Sequence, residues 1–118
     1  MSEFDQSKLT HFTGTERYYR LNRKCLLTDG TKYLADAAKA YWLMDAAASY
    51  LLELGTADWF VLVKLVVKGH AAVLTLEDGN GLIRARQEIP FTDFPARGQV
   101  LYASWDGRHW VLMMPSEY

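Results

Sequence analysis

The sequence predicts an α+β fold in which one main helix packs on an antiparallel sheet of four to five strands. Residues 33–54 predict the helix, because YLADAAKAYWLMDAAASYLLEL is rich in Ala and Leu, lacks Gly and Pro, and stops at Gly55. The sheet is predicted by the apolar or alternating runs that follow, joined by Asp-Gly and Asn-Gly turns typical of hairpins. With 118 residues, the chain is expected to form a single domain over residues 1–118.

Before the helix, residues 1–11 are polar and without periodicity, which predicts a mobile arm. The segment that follows, up to residue 27, alternates raggedly and predicts a strand or an extended stretch. Residues 28–31, TDGT, predict a turn whose Thr and Asp side chains cap the first helical turn. A break near Ala38 and Lys39 is an alternative, in which a short helix precedes a longer one.

The predicted helix carries two apolar stripes on a helical wheel. The stripe expected to face the sheet comprises Tyr41, Met44, Ala48 and Leu51. The second stripe lies where solvent is expected and comprises Leu43, Ala47, Tyr50 and Leu54. Leaving a Leu side chain exposed forgoes about 1.5–3 kcal/mol, so a cover for this stripe is expected. Either the N-terminal arm covers it or two copies pair through their main helices, and a homodimer is the favoured prediction.

After the helix, five segments are predicted as strands: residues 59–68, 71–77, 82–89, 100–105 and 109–114. The first, WFVLVKLVVK, is β-branched and almost continuously apolar, which is typical of a central strand. The second and third alternate between apolar and polar residues, and the hairpin signal DGNG joins them. Pro115 cannot donate to a strand ladder and is expected to end the last strand.

Composition places the chain among ordinary globular proteins, because half of its residues are hydrophobic and 23% are charged. The net charge of −1 gives no reason to expect a nucleic acid, a membrane or an acidic ligand as partner. No apolar run is long enough for a signal peptide or a membrane span, so a cytoplasmic location is expected. The single cysteine, Cys25, cannot form an internal disulfide.

The sequence contains no catalytic or metal-binding motif. His11, His70 and His109 do not have the spacing of a metal site, so neither a metal nor another cofactor is expected. Asp45 is a carboxylate inside an apolar helix, where burial would suit it to acid/base catalysis. A small enzyme that uses Asp45 is therefore one alternative, beside the interpretation that this carboxylate only pairs with other groups of the fold.

A basic and aromatic segment supports a second alternative, a nucleic-acid-binding module. The segment comprises Arg17, Tyr18, Tyr19, Arg20 and Arg23, and Lys24 follows it. Tyrosines that stack on bases, beside cations that contact phosphates, are typical of such modules. On a strand, however, these charges alternate between the two faces and need not form one surface.

Several stretches together carry a resemblance to a known family: LTHFTGT at 9–15, YY at 18–19, TDG at 28–30 with YL at 33–34, YWLMD at 41–45, EDGNG at 77–81, IPFTDFP at 89–95 and PSEY at 115–118. Through them, nearly the whole chain resembles a family of small bacterial proteins of unknown function, found largely on plasmids, phages and other mobile elements. Its members typically end in two leucines before PSEY, where this chain has Met113 and Met114. The resemblance implies no activity and no cofactor.

The leading hypothesis is a non-enzymatic binding or interaction protein of a mobile element, one that modulates a host or defence protein such as a CRISPR effector. The hypothesis combines the resemblance with an aromatic content of 14%, since exposed Tyr and Trp residues are strong interface anchors. The candidate interaction residues are Arg17, Tyr18, Tyr19, Arg20, Arg23, Tyr41, Trp42, Asp45, Tyr50, Asp93, Glu117 and Tyr118.

Overall fold

The computed structural model describes Phe4 and residues 6–118. Residues 1–3 and 5 of the predicted arm lie outside this described part, and the mobility of the arm stays a prediction. Within the arm, Gln6–His11 form a 3-10 helix, and the side chain of Leu9 is buried in the hydrophobic core. Part of the segment predicted as an arm therefore packs against the rest of the chain.

In the described part of the chain, seven strands form one sheet: β1 (Tyr19–Arg20), β2 (Cys25–Leu27), β3 (Phe60–Lys68), β4 (Ala71–Asp78), β5 (Ile83–Ile89), β6 (Gly98–Trp105) and β7 (Trp110–Met113). Two helices, α1 (Asp29–Ala37) and α2 (Tyr41–Leu54), lie between β2 and β3 in the chain. A second 3-10 helix, Pro115–Glu117, follows β7. The strand order across the sheet is β1-β2-β7-β6-β3-β4-β5.

The sheet is mixed and has seven strands, so the prediction of one main helix on a four- to five-stranded antiparallel sheet is wrong. Strand β2 runs parallel to β7, whereas the other neighbouring pairs are antiparallel. Strands β1 and β2 contain two and three residues, too few to show a period in the sequence. They join the sheet because β7, near the other end of the chain, offers its edge, with Cys25 opposite Trp110.

Two helices replace the single predicted one, and the alternative of a break near Ala38 and Lys39 is confirmed, because α1 ends in a Schellman motif. Lys39 adopts the left-handed conformation, with φ 53°, at the position where glycine is usual. The next amide, that of Ala40, donates to the carbonyl of Ala35 at 2.9 Å. The sequence hides this stop, since neither Gly nor Pro marks it. In the described part of the chain, no helix combines the length and the hydropathy needed to cross a membrane.

The hydrophobic core lies between α2 and one face of the sheet. The buried residues of α2 are Leu43, Met44, Ala47, Ala48 and Leu51. They belong to one cluster with alternate residues of the strands: Val61, Val63, Leu65, Leu74, Leu76, Leu101, Ala103 and Leu112. Burying one side chain of this size contributes about 1.5–3 kcal/mol, so the packing of α2 holds the helical layer onto the sheet.

The stripe predicted to need a cover lies mostly inside this core. Leu43 and Ala47 are at most 1% exposed, and Tyr50 and Leu54 are half-buried against the core. By contrast Tyr41, which was assigned to the sheet-facing stripe, is 38% exposed. The buried arc of α2 thus includes both stripes, and the assignment of the second one to solvent is wrong. The homodimer stays a prediction, but this stripe no longer argues for it.

Candidate interaction surface

The helices leave one face of the sheet uncovered, which we call the open face. In β3, Val61, Val63 and Leu65 point to the helices and are at most 2% exposed, whereas Val66 on the opposite face is 42% exposed. A row of directly opposed residues crosses four strands on the open face: Leu26, Val111, Ser104 and Phe60. With about 4.8 Å between neighbouring strands, this row is about 14 Å long.

An aromatic cluster of Trp59, Phe60, Tyr102 and Tyr118 lies at the β3 end of this row. The ring of Phe60 lies 5.1 Å from the rings of Tyr102 and Tyr118, and 5.9 Å from that of Trp59, measured between centroids. The rings meet at steep angles, as edge-to-face pairs do. Trp59 is 58% exposed and Tyr118 is 66% exposed, so solvent reaches both rings.

Two neighbouring pockets lie along this row: one is lined by Phe60, and the other by Leu26, Val111 and Ser104. The first has a volume of about 350 Å³, and we call it the Trp59 pocket; its lining residues are Ala57, Asp58, Trp59, Phe60, Gly79, Asn80 and Tyr118. The second has a volume of about 330 Å³, and we call it the Tyr18 pocket; its lining residues are Tyr18, Leu26, Ser104, Asp106, Val111 and Met113. Because Ser104 and Phe60 are directly opposite each other on adjacent strands, the two pockets belong to one continuous surface.

The Trp59 pocket combines three aromatic rings with one carboxylate, the Tyr18 pocket combines one ring with one carboxylate, and neither lining includes a Lys or an Arg from the described part of the chain. In the Trp59 pocket, the Asp58 carboxylate lies 3.7 Å from the guanidinium of Arg84, with both side chains about 40% exposed. In the Tyr18 pocket, Oδ1 of Asp106 accepts the backbone amides of Arg108 and His109, at 2.8 and 2.6 Å. The pockets therefore carry negative rather than positive charge.

Of the two predicted residues near the end of the chain, Tyr118 belongs to this surface and Glu117 does not. Oε1 of Glu117 accepts the hydroxyl of Thr28 at 2.6 Å and the amide of Met114 at 2.8 Å. Its Oε2 accepts the amide of Gly30 at 3.0 Å. A carboxylate in this position satisfies amides of the first turn of α1 and complements the helix dipole. Glu117 therefore caps α1 from a distant part of the sequence.

The predicted residues of α2 lie apart from the open face. Trp42 is half-buried, edge-on to Phe94 with 6.4 Å between the ring centroids. The hydroxyl of Tyr50 bonds to Oε1 of Gln87 at 3.1 Å. These two residues thus serve packing between α2 and its surroundings.

A compact polar group forms around Tyr41, where α1 approaches α2. The ammonium of Lys32 lies 2.9 Å from Oδ2 of Asp36 and 2.8 Å from the hydroxyl of Tyr41. The same ammonium lies 5.5 and 5.7 Å from the ring centroids of Tyr41 and Tyr19. The hydrogen bonds that the Lys32 ammonium donates to Tyr41 and Asp36 raise the pKa of Lys32, and the bond from Lys32 lowers the pKa of Asp36. The protein thus holds one of its own lysines with one tyrosine ring, one tyrosine hydroxyl and a carboxylate.

Asp45 and Asp93 are both exposed, on α2 and in the loop between β5 and β6. The catalytic hypothesis for Asp45 required burial, and with an exposed side chain it loses its basis. Among the described residues, no group of three or more His, Cys, Asp and Glu side chains could hold a metal ion.

The residues of the basic segment do not share one environment. Arg17, Tyr18, Arg20 and Arg23 are exposed, but Tyr19 is half-buried and its ring is used by Lys32. Tyr18 is 58% exposed and lines the Tyr18 pocket. It is therefore the aromatic residue of this segment that lies on the open face.

Cys25 is enclosed by the protein and is not a reactive thiolate. Its side chain is fully buried, and this burial raises the pKa of the thiol to about 11 despite a hydrogen bond from Asn22. The thiol therefore stays neutral at physiological pH and packs as a small apolar side chain.

The sequence did not point to Trp59, Phe60 or Tyr102 as surface residues. The run WFVLVKLVVK was predicted as a central strand, because it is β-branched and almost continuously apolar, and such a run does not distinguish the two faces of the strand. A signal is present in β6, where Tyr102 alternates with the buried Leu101 and Ala103. Without knowing that the helices cover one face only, this alternation does not show which aromatic residues remain exposed.

Comparisons with known proteins give one match. A family model described as a family of unknown function, DUF6876, matches residues 3–118. The comparisons with curated proteins and with solved structures find no match to this chain.

Proposed function

Because the chain belongs to DUF6876, a family of unknown function, we propose its function from its own surface: it is a protein-interaction module that docks a partner protein on the open face. One observation carries this proposal. Two neighbouring pockets and a cluster of four aromatic rings lie on a face of the sheet that the helices leave uncovered.

The aromatic content of this face supports a protein partner. Tyr and Trp anchors in pockets are the usual energetic centres of protein interfaces. Trp59, Tyr118 and Tyr18 are each more than half exposed, and burying one large aromatic ring in an interface removes a large apolar area from water. The half-buried apolar residues of the Tyr18 pocket, such as Leu26 and Met113, extend the contact area.

Charge argues against a nucleic acid on the same face. Asp58 and Asp106 line the two pockets, and their carboxylates would repel phosphates. The exposed arginines of the basic segment, Arg17, Arg20 and Arg23, lie at and beside the short edge strand β1 instead. A nucleic-acid interface at that edge remains the second hypothesis, and a low-salt mobility-shift titration that shows no binding would remove it.

The biological setting is part of the proposal. From the resemblance of the sequence to proteins of plasmids and phages, we propose that the chain is encoded by a mobile element. Its partner is then a host or defence protein, such as a CRISPR effector. A small protein that presents one apolar face can block a larger partner without any chemistry of its own, which agrees with an interaction role rather than a catalytic one.

Site-specific photo-crosslinking in bacterial cells tests the docking face. A photoreactive phenylalanine analogue replaces Trp59 in one variant and Phe91 in another, since Phe91 is 72% exposed in the loop after β5. We expect a crosslink to a different protein from position 59 and none from position 91. Crosslinks of equal yield from both positions, or only to a second copy of this chain, would contradict the proposal.

The recovered partner then allows a quantitative test. Replacing both exposed anchors, Trp59→Ala with Tyr118→Ala, is expected to weaken binding about 30-fold or more, because anchor residues typically contribute at least about 2 kcal/mol. The matched control is Phe91→Ala, which removes an exposed aromatic ring elsewhere. Calorimetric titration of the purified proteins gives both affinities.

A further inference from the structure

We propose that the Trp59 pocket is a site for an organic cation, which the docked partner supplies as the side chain of a Lys or Arg residue. This inference rests on the proposed docking function and names the chemical group that the pocket receives. Three aromatic rings and one carboxylate carry it, and each can be tested separately.

The rings form walls rather than a stack. Trp59 and Phe60 meet at 63°, and Phe60 and Tyr118 meet at 73°, so their planes enclose a concave space instead of lying flat on each other. The face of an aromatic ring is electronegative and attracts a cation within about 6 Å of its centroid. Because Trp59 and Tyr118 are largely exposed, a partner's side chain can reach these faces from solvent.

The carboxylate of Asp58 adds a full negative charge to the same pocket. Arg84 is the only cation of the described residues that is ion-paired with it, and the 3.7 Å distance between exposed groups makes this a weak pair. Arg84 does not line the pocket, so the space between the rings is open to another cation.

The protein provides its own example of this chemistry. Lys32 is held by the ring of Tyr19, by the hydroxyl of Tyr41 and by the carboxylate of Asp36. The Trp59 pocket presents the same kinds of groups, rings and one carboxylate, but no Lys or Arg of the described chain lines it. The same combination that binds an internal ammonium is thus presented to solvent on the docking face.

The test uses isotope-labelled protein and follows the indole N–H signal of Trp59 in a proton–nitrogen spectrum. The four Trp indoles give separate signals, and Trp59→Phe identifies the relevant one. Choline is the cationic probe, and 3,3-dimethylbutan-1-ol is its neutral analogue of the same shape, at constant ionic strength. We expect a saturable shift with choline and an affinity about five- to tenfold lower for the neutral analogue.

Variants with opposite expected effects separate electrostatics from a general disturbance. Asp58→Asn should weaken choline binding about threefold, and Arg84→Gln should strengthen it about threefold by removing the competing cation. Trp59→Ala should weaken it about tenfold, followed through the backbone signals of neighbouring residues. Phe91→Ala is the control and should leave the affinity for choline unchanged. The remaining backbone signals confirm that each variant is folded.

Lysine and arginine amides, acetylated at the α-nitrogen, identify the source of the cation. Binding of either amide supports a partner's side chain, whereas binding of choline alone would overturn that assignment. Equal affinity for choline and its neutral analogue, or no shift with either, would overturn the cation site. If crosslinking at position 59 still captures a partner in that case, the docking function stands and only the cation inference fails.

Discussion

Gly30 is the residue where the cap from Glu117 meets the first turn of α1. A Cβ atom at this position would lie 2.5 Å from Oε1 of Glu117 and 2.6 Å from Cγ of Met114, closer than such atoms approach each other. Met114 is 3% exposed and cannot easily move away. A glycine is therefore needed here for close approach, and not for an unusual backbone angle.

Gly30→Ala is expected to lower the free energy of unfolding by about 1–3 kcal/mol, because the displaced carboxylate leaves the amide of Gly30 and the hydroxyl of Thr28 without their acceptor. Urea denaturation followed by circular dichroism measures this change. Gly14→Ala is the matched control, since a Cβ atom at Gly14 would meet nothing within 4 Å. Equal effects of the two substitutions would refute the cap.

The buried thiol of Cys25 predicts that the free energy of unfolding falls as the pH rises above 9.0. Its pKa is raised from 9.0 to about 11 in the folded state, so between these values the unfolded chain loses a proton that the folded chain keeps. Stability contributed by the neutral thiol is therefore present below pH 9.0 and falls as the pH rises to about 11. We expect the wild type to lose about 2–3 kcal/mol over this range relative to Cys25→Ala. Parallel pH profiles of the two proteins would contradict this prediction.

Among the elements, the junction between α1 and α2 is the clearest departure from the predicted fold. Lys39 occupies the left-handed position that closes the Schellman motif, and its side chain is exposed. A residue with a Cβ atom is strained in this conformation by about 1–2 kcal/mol, whereas glycine is not. The helices separate here although the local sequence favours continuing the helix, because the packing of α2 on the sheet sets its direction.

Lys39→Gly is expected to raise the free energy of unfolding by about 1 kcal/mol, because glycine adopts the left-handed conformation without strain. Lys39→Ala is the control: it removes the charge and the long side chain but retains the strain, so its stability should stay near that of the wild type. Thermal and urea denaturation of the wild type and the two variants measure these differences in stability. A stabilisation of the same size by Lys39→Ala would show that the backbone strain is not the cause.

For the whole molecule, the decisive feature is that the helices cover one face of the sheet and leave the other to solvent. Leu43, once a candidate for an exposed dimer contact, is 1% exposed in the core. The exposed aromatic residues lie instead on the open face, at Trp59 and Tyr118. Any association of this protein, with itself or with a partner, is therefore expected through the sheet rather than through α2.

Leu43→Asp distinguishes these two surfaces. Burying a charge in the core should cost more than about 3 kcal/mol and abolish cooperative unfolding, seen by calorimetry. Tyr50→Lys, at a half-buried position of the same stripe, should leave the protein folded. If the helices instead paired two copies, both variants would be folded monomers derived from a wild-type dimer in sedimentation velocity, and the core assignment would be wrong.

The residues that form the site were only partly predictable. Tyr118 and Tyr18 were named from the sequence, and the structure places both on the open face. Trp59, Phe60 and Tyr102 were not named, because a run of apolar residues in a strand does not show which of its faces is covered. Glu117 was named as an interaction residue, but its partners are Thr28 and Gly30, nearly the length of the chain away.

The sequence by itself determined the local elements that depend on neighbouring residues. The strands from β3 to β7 lie within two residues of their predicted limits, and Thr28 caps α1 as the turn chemistry predicts. Only the tertiary structure decided the number of strands and the parallel pairing of β2 with β7, and it selected the break at Lys39, an alternative raised from the sequence, over one continuous helix. The physical reason is that helix, strand and turn preferences arise from residues close together in the sequence. The pairing of β2, the environment of Gly30 and the open face depend instead on contacts between distant parts of the chain, and a local sequence pattern does not show the energies of such contacts.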